Sequence, residues 1–166
     1  MLKMIILSGG LLWVTSCLAA EEKEVSVILH GASVHSGCQE GSGKKANKCD
    51  FNGVNPGVGI DWRFLGDEKT GFVSIRGGGY KDSYYNLAYY AGATYTKEWL
   101  LAESLSLGFG LQGGYLDGSE HHGFVMLPMV LVSYKNVTLE VGYVSKSWGD
   151  KVRSNVTMFS LRWGLI

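Results

Sequence analysis

After residue 20 the hydrophobic and polar positions alternate instead of recurring at helical spacing. In "VTMFSLRWGLI" (156–166), Phe159, Leu161, Trp163 and Leu165 fall on one face, and Ser160, Arg162 and Gly164 fall on the other. A period of two belongs to a strand, whose successive side chains point to opposite faces. Seven further segments read the same way: "VSVILHGASVHS" (25–36), "NPGVGIDWRFLG" (55–66), "GFVSIRGGGYKD" (71–82), "YNLAYYAGATYT" (85–96), "LSLGFGLQGGYL" (105–116), "GFVMLPMVLVSY" (123–134) and "VTLEVGYVSK" (137–146). Each is about 10–12 residues, the length a tilted membrane strand needs. Between the fourth and fifth, "KEWLLAES" leaves room for at most one helical turn.

Eight alternating segments fit two architectures: a soluble barrel with an apolar interior, and a membrane barrel with an apolar exterior. The aromatics favour the second, because they gather near strand ends as interfacial girdles do. Trp62, Trp99 and Trp163 form one level, and Tyr80, Tyr84, Tyr85 and Trp148 the other. The predicted fold is therefore all-β, an eight-stranded antiparallel up-and-down transmembrane β-barrel. Composition agrees: the chain has 24 Gly, nine Tyr and five Trp but only two Pro, a profile of strands with tight bends. Fifteen basic against 15 acidic residues leave no electrostatic footprint for nucleic acid.

The first twenty residues, "MLKMIILSGGLLWVTSCLAA", read as a signal peptide: Lys3, an apolar stretch too short to span a bilayer, and a small-residue cleavage site near Ala20. Residues 21–166 are then the barrel domain. "VTSC" also passes as a loose lipobox, which would leave Cys17 lipidated at the mature N-terminus. In an exported chain the remaining pair, Cys38 and Cys49, reads as a disulfide. Two thiols eleven positions apart with no histidine in register do not make a zinc site, so no metal is expected.

Links after odd-numbered strands fall at 37–54, 83–84, 117–122 and 147–155, and links after even-numbered strands at 67–70, 97–104 and 135–136. With a periplasmic N-terminus, the odd links face outside. His35 ends strand 1, and Asp82 and Ser83 end strand 3, so all three share the outer rim with one strand between them. A histidine beside a serine can take the hydroxyl proton as the oxygen attacks an acyl carbonyl. An aspartate can orient the imidazole or stabilise its cation. Asp and Ser are equally ordinary turn residues, so spacing alone leaves catalysis and turn chemistry both open. "GSGKK" (41–45) lacks the spacing of a phosphate loop and reads as an exposed tip; His121 and His122 read as a solvated loop pair, and His30 as a residue packed in the barrel wall.

In order along the chain, "FNGVNPGVGI", "GDEKTG", "GYKDSYYN" and "MLPMVLVSYKNVTLEVGYV" resemble the lipid A palmitoyltransferase family of Gram-negative outer membranes. The Lys-Asp-Ser run in its aromatic context is the most specific element. The resemblance implies an outer-membrane barrel, a monomer, that moves a palmitate-like acyl chain from phospholipid to lipid A or lipopolysaccharide without a cofactor. It implies a catalytic set of His35, Asp82 and Ser83 on the rim facing outside. It also implies a lipid-access role for Pro128, and for Pro56 on the other side. Proline lacks an N–H and interrupts the ladder, so lipid could enter sideways. Two features depart from the family: only "EEKE" precedes strand 1, where the family has an amphipathic helix, and the Cys38–Cys49 pair is extra. A lipid A deacylase and a non-enzymatic surface-binding barrel are the alternative functions.

Overall fold

The computed structural model describes residues 24–38, 49–148 and 154–165. The predicted signal peptide, Cys17 and the 41–45 loop tip lie outside the described residues. Eight strands follow one another: β1 (Glu24–Ser36), β2 (Val54–Asp67), β3 (Gly71–Lys81), β4 (Leu87–Ala102), β5 (Leu105–Gly118), β6 (His121–Tyr134), β7 (Val137–Val144) and β8 (Asn155–Gly164). Each pairs antiparallel with the next, and β8 returns to β1, so the sheet closes into the expected up-and-down barrel. Closure removes the free strand edges except along the upper part of β6, where the pairing with β7 stops at Met129–Gly142.

The barrel is inside out relative to a soluble one. Among the described residues 33 large hydrophobic side chains are exposed and only five hydrophobic residues are buried, against 14 buried polar or charged ones. Val58, Ile60, Ile75, Leu107, Phe109, Leu111, Val130 and Val132 form an outward apolar belt. Such a surface cannot face water at that extent and fits the hydrocarbon of an outer membrane. Trp62, Trp99 and Trp163 lie on the outer face toward the end where β1 begins and β8 finishes, as predicted. Tyr80 does not belong to a girdle: it points into the lumen, its ring centroid 5.2 Å from that of His30. The "KEWLLAES" stretch is not helical either. Lys97–Ala102 continue β4, because Lys97 to Leu100 pair in register with Phe109 to Ser106.

The lower lumen is filled by ion pairs. Arg76 donates from Nε to Asp61 at 2.8 Å and from Nη1 to Glu140 at 2.9 Å, and Arg162 Nε donates to Glu140 at 2.9 Å. Arg162 and Arg63 share Glu98, Arg63 also holds Glu24 at 2.6 Å, and Ser133 donates to Glu98. Glu140 collects N–H groups from both Arg76 and Arg162, and Asp61 pairs Arg76 Nε with the Ser74 hydroxyl, so the buried charges are matched and hydrogen-bonded. The plug leaves the upper lumen as a separate space. Replacing Arg76 by Leu strands Asp61 and Glu140 without their shared cation. We expect a loss of about 3–5 kcal/mol in barrel stability, read as a lower urea midpoint for the protein refolded into lipid vesicles.

Candidate active site at the barrel rim

Strand alternation alone would put His35 on the wrong face. In the lower part of β1, Ser26, Ile28 and His30 point inward. Continued parity would send His35 outward with Val27 and Leu29. The register shifts between His30 and Ala32 on both sides: His30 pairs with Ser160 and Ala32 with Phe159, so Gly31 is an extra residue opposite β8. A bulge of this kind inverts the alternation. Above it Ser33 and His35 face the lumen, and Val34 faces out. Toward β2 the same point pairs His30 with Gly57 and Ala32 with Val54, and Pro56 sits in the irregular step.

His35 Nε2 lies 2.8 Å from Ser83 Oγ, and Nδ1 lies 3.0 Å from Ser154 Oγ. Ser33 Oγ is within reach of both partners, 3.2 Å from His35 Nε2 and 3.4 Å from Ser83 Oγ. The predicted histidine and serine are therefore brought into hydrogen-bonding distance. Ser33 and Ser154, which alternation gave no reason to single out, complete the shell. "FNG" closes over the pair. Phe51 stacks on the His35 ring at 4.2 Å with a 15° interplanar angle, and Asn52 N–H donates to the Ser83 carbonyl at 2.8 Å.

Asp82 sits beside these residues but serves a different bond set. It is fully buried. Its Oδ1 accepts the N–H groups of Tyr84 at 2.9 Å and Asn86 at 2.8 Å, and its Oδ2 accepts that of Ser119 in the β5–β6 turn at 2.7 Å. The three hydrogen bonds made by the His35 ring go to serines. Asp82 thus pins the β3–β4 turn, in which Tyr85 adopts φ 68°, and ties it to the neighbouring turn. Its carboxylate holds Ser83 in place through the backbone.

Below Ser83 the lumen opens into a cavity of about 120 Å³. Its apolar lining comes from Leu116, Val125, Leu127, Met129 and Met158. The floor is polar: His30 lies between Ser160 Oγ and Tyr90 OH, each at 3.0 Å, above Arg76 and Glu140. The space has room for roughly ten water-sized groups. Beside it the ladder between β6 and β7 stops at Met129–Gly142, so β6 from Pro128 upward has no partner in β7. Pro128 itself still opposes Leu111 of β5. His121 and His122 sit at the β5–β6 turn, with His122 Nδ1 2.5 Å from Asp117 Oδ1.

The family model described as "Antimicrobial peptide resistance and lipid A acylation protein PagP" matches residues 19–162. The chain belongs to that family. Among solved structures the chain is similar to the outer membrane protein Ail of Yersinia pestis, determined in a phospholipid bilayer nanodisc. The identity is 13%, the match covers 87% of this chain and 100% of that one, and the TM-score is 0.43, too loose a likeness to argue from. No curated protein matches the chain.

Removing the Asp82 carboxylate, as in Asp82→Ala, takes the acceptor from three partly buried N–H groups. We expect a loss on the order of 3 kcal/mol, since each bond to a buried charged group contributes about 1.5–3 kcal/mol and part is recovered by relaxation. Denaturant titration of the refolded barrel measures it. Asp82→Asn, which keeps one carbonyl oxygen in the turn, should lose less.

Proposed function

We propose that this protein is an outer-membrane acyltransferase that moves a fatty acyl chain from a phospholipid to lipid A, with Ser83 as nucleophile and His35 as general base. The observation that carries the reading is the 2.8 Å approach of His35 Nε2 to Ser83 Oγ at the mouth of a lumenal cavity, in a chain of the lipid A acylation family. His35 Nδ1–H donates to Ser154 Oγ, which leaves the Nε2 lone pair for the Ser83 proton. The Ser83 oxygen attacks the ester carbonyl of the phospholipid. The acyl–glycerol C–O bond breaks, and the leaving alkoxide takes the proton from His35 to become the lysophospholipid hydroxyl. A hydroxyl of lipid A then gives its proton to His35 and attacks the acyl-serine, and the proton returns to Ser83 as its ester bond breaks. Asp82 supports the nucleophile by holding its turn.

The reading assigns the unpaired stretch of β6 above Pro128 to lateral entry of lipid, and the bulge at Pro56 to a second opening. The rim with His35 and Ser83 faces outside, opposite the short turns at 68–70, 103–104 and 135–136. Below Pro128 the ladder closes all the way round and leaves no strand edge to a second copy, which supports a monomer. The cavity takes the acyl chain, and the polar floor limits its length.

The test is the mass of lipid A from cells making the protein, beside cells making Ser83→Ala or His35→Ala. A gain of one fatty acyl group that disappears in both variants is the expected outcome; either substitution should slow transfer by about 10²–10⁴-fold. Loss of an acyl group dependent on Ser83 would replace transfer by deacylation. No change with the barrel folded in the outer membrane would leave a binding barrel. Chain length is a separate readout. The three atoms nearest to a Cβ at Gly142 all belong to the Leu127 side chain, at 3.0–3.2 Å. Gly142→Met therefore fills the cavity at little cost to the backbone, and the transferred chain should be shorter.

A further inference from the structure

We propose that Phe51 is a positioning residue for His35, whose aromatic face stabilises the imidazolium formed when the histidine takes a proton. The proposal rests on the acyl-transfer reading for its catalytic meaning and on the site geometry for its substance. A histidine that acts as a base must become a cation, and in a serine–histidine–aspartate site a carboxylate on Nδ1 steadies that charge. Here Nδ1 lies on Ser154 Oγ, a neutral group, and the Asp82 carboxylate is committed to three backbone N–H groups. Phe51 stacks on one face of the half-buried ring at 4.2 Å and 15°. An aromatic face carries negative quadrupole density, which attracts a cation stacked on it within about 6 Å and favours it over the neutral ring.

Phe51 is held there by the chain on both sides. Cys38 lies three residues beyond His35 and Cys49 two residues before Phe51, and the two are joined with their Cα atoms 6.0 Å apart. The disulfide therefore ties the histidine's own strand to the segment that caps it. On the far side Asn52 N–H donates to Ser83 O, Ser33 N–H donates to Gly53 O at 2.9 Å, and Asn55 Nδ2 donates to Lys81 O at 3.0 Å. Tyr84 meets the Phe51 ring edge-on at 5.7 Å.

The described charged groups on the segments packed around His35 are Asp50, Lys81, Asp82, Glu120 and Lys146. Lys81 Nζ lies over the Tyr85 ring at 5.1 Å, and Lys146 Nζ donates to the Gly37 carbonyl at 3.1 Å. The hydrogen bonds of the imidazole go to Ser33, Ser83 and Ser154, so the stacked ring is the group best placed to favour its charged form.

The test compares Phe51→Leu, which keeps apolar bulk without the π face, with Phe51→Tyr, which keeps both. His35 is titrated by NMR in the refolded barrel in detergent, a measurement that needs no activity. In Phe51→Leu the imidazolium loses its partner, so the His35 midpoint should move to lower pH by about one unit and the acid limb of kcat/KM should move with it. Transfer at neutral pH should fall about tenfold. Phe51→Tyr should restore both. An unmoved His35 midpoint in Phe51→Leu, or one moved to higher pH because water reaches the ring, would overturn the proposal even if activity fell. If the wild type transfers no acyl group, the acyltransferase reading fails, and the NMR titration still decides the role of Phe51.

Discussion

Strand parity is the constraint on which the site depends, and one extra residue resets it. In a membrane barrel each strand position faces either hydrocarbon or lumen, and the two demand opposite chemistry. The lower half of β1 obeys that demand with Ser26, Ile28 and His30 inside. His35 cannot follow the same count without meeting lipid. The bulge at Gly31 lets one strand serve two purposes: its lower half meets the lumen with even-numbered positions, and its upper half delivers Ser33 and His35 to Ser83. A Cβ at Gly31 would meet the Phe159 carbonyl oxygen at 3.6 Å, an ordinary contact, so the extra residue and not the lack of a side chain makes the bulge.

The lumen divides along the same line. Below the bulge, arginines and carboxylates neutralise one another and bind the wall together across the barrel. Above it, the interior is hollow. The plug does more than stabilise: it ends the cavity. On the proposed function, an acyl chain entering from the rim would meet His30, Tyr90 and Ser160 first, then Arg76 and Glu140. Apolar carbon gains nothing by going further, since the groups below already satisfy each other and would lose hydrogen bonds to make room. The polar plug that stabilises the barrel is thereby also the physical limit on what the cavity accepts.

Much of this was legible in the sequence. Alternation gave eight strands, their order and the outward belt, because period two is a direct consequence of strand geometry. Link parity put His35 and Ser83 on one rim, and their 2.8 Å approach is what that placement leads one to look for. Three things were not legible. The bulge at Gly31 leaves no mark in a pattern already rich in glycine. "KEWLLAES" has helix-forming residues, and only pairing with β5 makes its first six a strand. Tyr80 looks like a girdle residue by its distance from the strand end; its face is decided by parity, which counts it with Arg76 and Gly78 inside the barrel.

Asp82 lies at the rim beside His35 and Ser83, and its hydrogen bonds go elsewhere. Adjacent residues in a regular strand point to opposite faces, so Asp82 and Ser83 converge on one site only where the chain turns. The turn exists because Asp82 makes it: its two carboxylate oxygens collect N–H groups from Tyr84, Asn86 and Ser119. None of these bonds goes to His35, whose ring hydrogen-bonds to Ser33, Ser83 and Ser154. The stabilisation of a charged His35 must then come from elsewhere, and the nearest polarisable surface is the Phe51 ring, fixed by a disulfide that the family pattern does not include. The extra cysteine pair and the missing carboxylate contact are, on this argument, two sides of one arrangement.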